Sequence, residues 1–470
     1  MNKKCQIFTP DNYVDELLDN VGYTENLYGK KILENSCGTG NVLVAIVRRY
    51  ISDCRKKGFS DLKIQKGLEN DIYGVEIDNE QYSFCIERLN NLLLNENLNL
   101  IKWNITNRDY LKKNEVNKYD YIVGNPPYVT YTEIKDEDKN FLRETFESCK
   151  KGKFDYCYAF IEKSLQSLSS NGKLAYLIPS SIFKTVFGSN LREIMKPYIE
   201  KIYDYTQEKM FDDVLIKSAI MILNKKREKE YFYYKDVTLN KQQRININEL
   251  KDKWFFVENT MYGSRRFGDY FKVSHVVATL LNEAYVLKDY VETEDFIECQ
   301  GYRLESDIIK NTATPKTQRY HRKEKIIFPY YYDDKNELKR YTDEEFLLFY
   351  PGVAAYLNRF RDKLDRRKKD ANSRWFEYGR SQALRNLNNS KLLISTVITS
   401  KVLVYKLDKE CIPYSGLYIT IREDNKELSI EDAETVLKSE GFMQYVLHAG
   451  IHINGTSVRI TSRDIEEYRF

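Results

Sequence analysis

The strongest chemical signal in the chain is Asn125-Pro126-Pro127-Tyr128, which follows the apolar run Tyr119-Asp120-Tyr121-Ile122-Val123-Gly124. The run reads as a buried strand, and open α/β sheets place their sites beyond the carboxyl ends of such strands. Two consecutive prolines fix φ and remove two backbone donors. The carbonyls before them are left to accept hydrogen bonds from a ligand. The Asn125 amide oxygen and the Pro126 carbonyl make two acceptors for one NH2 group. An amine on an aromatic ring is a poor nucleophile because its lone pair is delocalised into the ring. Two acceptors on its hydrogens favour the pyramidal form and free that lone pair. Tyr128 adds a π-face for a planar ring. The plain alternative is a proline-rich turn; three further motifs, in order upstream, argue against it.

The first of these is Glu34-Asn35-Ser36-Cys37-Gly38-Thr39-Gly40-Asn41. Its glycines let the backbone approach a ligand closely where a helix begins. The second is Gly74-Val75-Glu76-Ile77-Asp78, with Glu76 at a strand end where a ribose diol is normally held. Its distance from the glycines exceeds the ~20 residues usual in dinucleotide sites, because residues 52–70 intervene. The third is Asn107-Arg108-Asp109-Tyr110-Leu111. Asp109 can accept from an adenine amino group, and Tyr110 or Ile77 can flank the ring. Each is weak alone, since tight turns, solvated strand ends and loop aspartates are common.

Metal chemistry is not expected. The eight cysteines include no Cys-x-x-Cys pair, and His275, His321, His448 and His452 show no metal-ligand spacing. Scattered cysteines suit a reducing, cytoplasmic setting. No run approaches the ~18 apolar residues of a membrane span, so no membrane partner is expected. The residues before Thr9 lack the apolar core of a signal peptide.

The elements that must position these motifs alternate. Strands are expected at 30–36, 72–77, 100–105, 119–124, 173–178, 199–205 and 218–223. Helices are expected at 41–57, 80–95, 155–169 and, for the most part, 181–196. Such alternation implies an α/β fold with a mostly parallel sheet covered on both faces. The charged run Lys225-Lys226-Arg227-Glu228-Lys229-Glu230 reads as a solvated connection. Beyond it the rhythm is lost, which places a boundary near 228–240. Two or three domains fit a chain of 470 residues. A net charge of +4 decides nothing about nucleic acid by itself. The abundant tyrosines and phenylalanines read first as a compositional bias and only secondarily as base-stacking surfaces.

Residues 1 to about 225 resemble the gamma-class, amino-type DNA methyltransferases of bacterial restriction–modification systems, the Eco57I/TaqI-like type II modification methylases. The motif order matches along the whole stretch. Phe8-Thr9-Pro10 with Val14 resembles the N-terminal motif that covers the methionine end of the cofactor. Glu34–Gly40 resembles the family's acidic-Pro-Ala-Cys-Gly-Ser-Gly motif, with Asn35 in place of proline and Thr39 in place of serine. Tyr158-Ala159-Phe160-Ile161-Glu162-Lys163 is similar to the following helix motif, whose Phe lines the cofactor adenine. Phe211, in Met210-Phe211-Asp212-Asp213-Val214, is similar to the aromatic that stacks on the flipped base.

The resemblance implies a Rossmann-like, seven-stranded, mostly parallel methyltransferase domain over 1–235. It also implies a C-terminal α+β target-recognition domain over 236–470. S-adenosyl-L-methionine is the implied cofactor, held by Thr9, Pro10, Glu34, Ser36, Cys37, Gly38, Gly40, Glu76, Ile77, Asp109, Tyr110, Asn125 and Phe160. Asn125, Pro126, Pro127, Tyr128 and Phe211 are the implied catalytic residues. Asn at the first tetrapeptide position points to adenine N6. Amino-cytosine enzymes usually carry Ser there, and cytosine-C5 enzymes need a Pro-Cys that this chain lacks.

The second half supplies a DNA-binding surface in this reading. Residues 359–401 hold twelve Lys/Arg against four Asp/Glu, with Trp375 among them. Basic tracts with interleaved aromatics suit phosphate contacts. Arg366, Arg367, Lys368, Lys369, Arg380 and Arg385 are the candidates. Double-stranded DNA is the expected partner, bound between the domains with the target base flipped out. The chain is expected to be a monomer, with or without a separately encoded restriction endonuclease. Two other readings share some features. Protein-glutamine and RNA guanine-N2 methyltransferases also use Asn-Pro-Pro-Tyr, but would not need so long a C-terminal half. A DNA-binding specificity protein with an inactive methyltransferase fold would not need Glu34, Glu76, Asp109 and Asn125 intact.

Overall fold

In the computed structural model, which describes residues 11–112, 118–205, 217–256, 263–453 and 457–470, strands and helices alternate as the sequence leads one to expect. The first half runs α1 (Asp11–Val21), β1 (Ile32–Glu34), α2 (Asn41–Lys56), α3 (Asp61–Asp71), β2 (Ile72–Glu76), α4 (Asn79–Asn95) and β3 (Asn104–Asn107). It continues through β4 (Tyr119–Gly124), α5 (Asp136–Thr145), α6 (Tyr156–Ser167), β5 (Leu168–Pro179), α7 (Ser189–Met195), β6 (Ile199–Asp204) and β7 (Ser218–Asn224). Two more strands follow, β8 (Tyr231–Asp236) and β9 (Lys241–Asn246). The spatial order is β3-β2-β1-β4-β5-β7-β6-β8-β9. The seven expected strands are therefore present, and β8 and β9 extend the sheet to nine. β7 lies antiparallel to both β5 and β6, and β9 antiparallel to β8; the other pairings are parallel.

Side chains alternate between two apolar layers, as a strand's period of two requires. Leu174, Tyr176 and Ile178 of β5 join Leu142 of α5, Ile161 of α6 and Leu191 of α7 on one face. Ala175 and Leu177 of β5 join Leu17 of α1, Val47 of α2, Ile64 of α3 and Leu89 of α4 on the other. Both faces being covered, the central strands read as nearly continuous apolar runs.

Three expectations need correction. The third strand lies at Asn104–Asn107, not 100–105. It is an edge strand, and polar Asn104, Thr106 and Asn107 suffice for the ladder to β2. The apolar residues just before it do other work: Trp103 is buried and donates its indole N–H to Asn90 Oδ1 of α4 at 3.0 Å. Residues 181–196 are not one helix but two 3-10 turns, Ser180–Phe183 and Val186–Gly188, before the short α7. The buried Arg192 guanidinium donates to the Ile182 and Thr185 carbonyls, both at 2.8 Å, and so fixes this irregular path.

The third correction concerns the boundary. The chain divides between residues 256 and 257, not at 235/236. The charged run 225–230 is a turn within the first unit rather than a connection between domains. Beyond it β8 pairs in parallel with β6, from Lys201 opposite Tyr233 to Asp204 opposite Asp236. Trp254 and Phe256 then close over Phe183, with ring centroids 6.0 and 5.1 Å apart. The aromatic run Tyr231-Phe232-Tyr233-Tyr234 is sheet, not a change of architecture.

The second unit is built of small sheets and short helices. One four-stranded sheet runs Phe271–His275, Leu417–Ile421, Lys391–Ile394, Val404–Leu407 in space. Its core is aromatic: Phe346 stacks on Phe376 at 3.8 Å, and Tyr285 meets Tyr378 edge-on at 5.1 Å. Many of the chain's tyrosines are thus core residues.

Trp254 tests the late boundary. It is fully buried in the first unit. Truncating a buried Trp costs about 3–5 kcal/mol, so Trp254→Ala should lower the urea midpoint of the unit holding the nine-stranded sheet. An unchanged midpoint would place residues 236–256 outside that folding unit.

Candidate functional site

The parallel register brings the motif ends to one edge of the sheet. Glu34 lies opposite Gly74 on one side and Val123 on the other. Glu76 lies opposite Asn107, and Gly124 opposite Tyr176. The chain leaves β1, β2, β3 and β4 at the same edge, where open α/β sheets bind ligands.

The turn after β1 is a backbone cradle. Gly40 has φ +84°, a left-handed conformation that favours glycine. A Cβ there would lie 2.6 Å from Cys85 Sγ of α4. The Cys37 amide donates to the Val75 carbonyl at 3.0 Å, and the Gly38 amide to Glu76 Oε2 at 2.7 Å. The Asp78 amide donates to Glu76 Oε1 at 2.9 Å. Both Glu76 oxygens are therefore aimed by main-chain donors, and each keeps a further lone pair for a diol. Beside it, Ile77 is 45% exposed, an apolar face beyond the strand end.

Glu34 is buried, and burial pushes its carboxyl well above the usual range, with Cys85 and Glu76 adding to the effect. Its Oε2 has no hydrogen-bond partner among the described residues. A buried carboxylate oxygen without a partner is costly, and a cationic ligand group is the natural complement.

Ser36 joins this cradle to the tetrapeptide. Its hydroxyl donates to the Asn125 carbonyl at 3.1 Å. That carbonyl was expected to be open to a ligand; it is engaged by Ser36, which leaves the Pro126 carbonyl and the Asn125 side chain as the acceptor pair. The Tyr128 hydroxyl donates to the Leu177 carbonyl at 2.7 Å, which fixes its ring against the end of β5. Burial holds that phenol well above its ordinary pKa, so it stays a neutral donor. Pro126 is buried, and Asn125, Pro127 and Tyr128 are half-buried.

Other predicted residues sit differently. Asp109 is half-buried and accepts from the Leu111 amide at 2.9 Å, with Lys112 Nζ 3.8 Å from its other oxygen. Tyr110 and Phe160 are core residues whose rings lie 5.4 Å apart. Both rings are packed within the apolar layer that carries Leu174 and Ile178. Thr9, Pro10 and Phe211 lie outside the described residues.

Sequence reasoning missed the polar residues that hold the loops. The Asn35 side-chain amide donates to Ser164 Oγ at 2.9 Å and accepts from the Tyr176 hydroxyl at 2.7 Å. Ser164 and Tyr176 are 2.7 Å apart, so the triad closes on itself, fully buried. Lys163 Nζ donates to the Tyr110 and Leu111 carbonyls and tethers the turn after β3 to α6. The available signal was a run of polar residues, Glu162-Lys163-Ser164, directly after the apolar run Ala159-Phe160-Ile161 in a helix buried on nearly every side.

The start of α6 is tied to the tetrapeptide's exit. The Tyr156 amide donates to the Val129 carbonyl at 3.0 Å, and Asp155 caps the helix through the Cys157 amide at 3.0 Å. Burial pushes the Asp155 carboxyl from the ordinary 3.8 up to about 6, and Glu133 adds to the shift. The folded chain therefore holds this proton more tightly than the unfolded chain. The stabilisation is complete below pH 3.8 and is lost as pH rises through about 6. Asp155→Asn keeps a capping oxygen and should flatten the stability–pH curve across that window. Urea midpoints at a series of pH values measure this, and a curve still falling as in the parent would assign the slope to another group.

In the second unit the six basic candidates divide. Arg366, Lys368 and Arg385 are exposed, with no ion pair among the described residues. Arg380 pairs with Asp370 at 2.6 Å, and Lys369 lies 3.9 Å from Asp365. Arg367 is turned inward, donating to the Thr279 and Glu377 carbonyls and to the Tyr285 hydroxyl at 3.1 Å. Its role in the structure is internal. No group of three or more potential metal ligands occurs among the described residues.

Comparison with known proteins bears on the same segment. The model of the Eco57I restriction-modification methylase family matches residues 26–211. The chain is 24% identical to the Type II restriction enzyme and methyltransferase RM.Eco57I of Escherichia coli, over 60% of this chain and 33% of that protein. It is 31% identical to the Type II methyltransferase M.BstVI of Geobacillus stearothermophilus, over 40% of this chain and 36% of the relative. The matched stretches thus span about a third of these relatives' own length. Among solved structures, the Type IIL restriction-modification enzyme MmeI in complex with DNA has a similar fold. The match covers 97% of this chain and 64% of that one, with TM-score 0.58 and 13% identity.

Proposed function

We propose that the chain, whose residues 26–211 match the model of the Eco57I restriction-modification methylase family, methylates the N6 amino group of adenine in double-stranded DNA, using S-adenosylmethionine. The observation that carries the proposal is the hydrogen bond from Ser36 to the Asn125 carbonyl. It fixes a glycine-rich ligand cradle directly against a pair of amine acceptors.

The residues present fit the cofactor. The Gly38–Gly40 turn admits a ligand close to the backbone, Glu76 suits its ribose diol, and exposed Ile77 suits its adenine. The unpartnered Glu34 oxygen suits a cationic group of its methionine end. When bound, S-adenosylmethionine supplies an electrophilic methyl on a sulfonium. The chain's own contribution is positional. Asn125 Oδ1 and the Pro126 carbonyl accept the two amine hydrogens and favour a pyramidal nitrogen, whose lone pair is localised rather than shared with the ring. The Tyr128 ring supports the extruded base from one side. The nitrogen's surplus proton leaves after transfer, and no covalent bond to the protein forms. Arg366, Lys368 and Arg385 are the phosphate contacts of the second unit in this reading. The chain would serve as the modification component of a type II system or as an orphan methylase.

Two measurements test this. Asn125→Ala should lower methyl transfer to DNA by at least about a hundredfold, the scale of losing one preorganised polar contact, while binding of the cofactor persists. Near-normal turnover in that variant would overturn the assignment. Second, the Glu34 carboxyl, pushed up by burial, should ionise when a cation arrives beside it. Cofactor uptake should then release a proton and tighten as pH rises. Calorimetry in buffers of different ionisation enthalpy reads this directly, and Glu34→Gln should abolish the release.

A further inference from the structure

Resting on that reading, we infer that the catalytic unit has its own DNA-contacting surface, in which Phe187 stacks into the duplex beside the extruded base and Lys151 and Lys153 take the backbone phosphates.

Val186 and Phe187 are exposed, at 51% and 45%, in the 3-10 turn Val186–Gly188. They follow the carboxyl end of β5, the edge at which Asn125 stands. An exposed aromatic of this kind is usually mobile; this one is seated. Its ring lies over Gly152, so close that a Cβ there would be 2.0 Å from Phe187 Cδ1. Gly152 also has φ +73°, which disfavours any other residue. The Gly152 carbonyl accepts from Arg143 Nη2 at 3.0 Å. On the other side, Tyr158 and Thr185 share a hydroxyl–hydroxyl hydrogen bond of 3.0 Å, and Arg192 holds the Thr185 carbonyl at 2.8 Å. One face of the ring rests on backbone and the remainder meets solvent.

The charge around it is one-sided. Lys150-Lys151-Gly152-Lys153 is the segment on which the ring sits. Lys150 is paired with Glu147. Lys151 and Lys153 are exposed and form no ion pair among the described residues. A rigid aromatic flanked by unpaired cations is the composition of a surface that stacks bases and tracks phosphates. The same segment precedes Asp155 and α6, whose first amide is bonded to Val129 just past the tetrapeptide. A base leaving the duplex for Tyr128 vacates stacked space, and Phe187 is an exposed aromatic on that edge, seated over Gly152, that can fill it.

The test uses the full chain and a duplex carrying a site mapped on plasmid DNA methylated by the parent protein. Phe187→Ala should reduce kcat/KM on the paired duplex roughly tenfold or more, the order set by base–aromatic stacking. It should recover most of that loss when the target base faces an abasic position, where opening is already complete. Phe187→Trp should stay near the parent. Lys151→Ala with Lys153→Ala should weaken DNA binding and lower the salt-dependence slope by about two, with cofactor affinity unchanged in both variants. Equal losses on paired and abasic duplexes, or parental activity of Phe187→Ala, would overturn the stacking role. An unchanged salt slope would overturn the phosphate role. Should the parent chain methylate no DNA, the underlying reading fails first and this inference falls with it.

Discussion

β1 and β4 are parallel neighbours, and the hydrogen bond from Ser36 to the Asn125 carbonyl spans the loops that leave them. Two motifs 85 or more residues apart in sequence meet there only because a parallel pair must be joined by a crossover. α2 through β3 form that crossover, and they carry Glu76 and Asp109 to the same edge on the way. If β1 and β4 were antiparallel, the glycine cradle and the acceptor pair would lie at opposite ends of the sheet. The rest of the first unit, two apolar layers on either face, keeps that pairing straight. In the proposed reaction, catalysis by position needs this rigidity, because the acceptors do no bond-making of their own.

What the sequence made legible followed from how local each signal was. Glu34–Gly40, Glu76 and Asn125–Tyr128 could be found because strand, turn and helix start lie within a few residues of one another. The buried strands could be found because their apolar runs have no other use. Asn35 could not be grouped with Ser164 and Tyr176, since both lie over a hundred residues from it in sequence. Tyr110 and Phe160 have the composition of ring-flanking residues, yet their side chains are consumed by packing. Arg367 stands in a basic tract and yet turns inward, because charge in sequence says nothing about which way a guanidinium points. β8 was missed for a different reason. Its run of Tyr and Phe lacks the polar alternation of a surface strand and the aliphatic signature of a central one.

The second unit shows how polarity and location separate. Its tyrosines make an aromatic core with hydroxyls bonded to buried carbonyls, as Tyr378 does to Ile327 at 2.8 Å and Tyr418 to Ala383 at 2.8 Å. Each ring fills apolar space and also satisfies a main-chain acceptor. An aromatic-rich sequence here is a way to pack many short strands whose carbonyls a regular ladder does not reach.

The Asn35–Ser164–Tyr176 triad has an evolutionary consequence. The motif resemblance implies proline at the position of Asn35, and proline offers neither a donor nor a side-chain acceptor. In this chain a step to proline would take one partner from each of two buried hydroxyls, which keep their bond to each other, at a cost of about 1–3 kcal/mol. The three positions are therefore coupled through shared hydrogen bonds. The turn after β1 is matched to its own helix and strand, so a turn taken from another chain should not be interchangeable as a cassette even where every ligand-facing residue is identical.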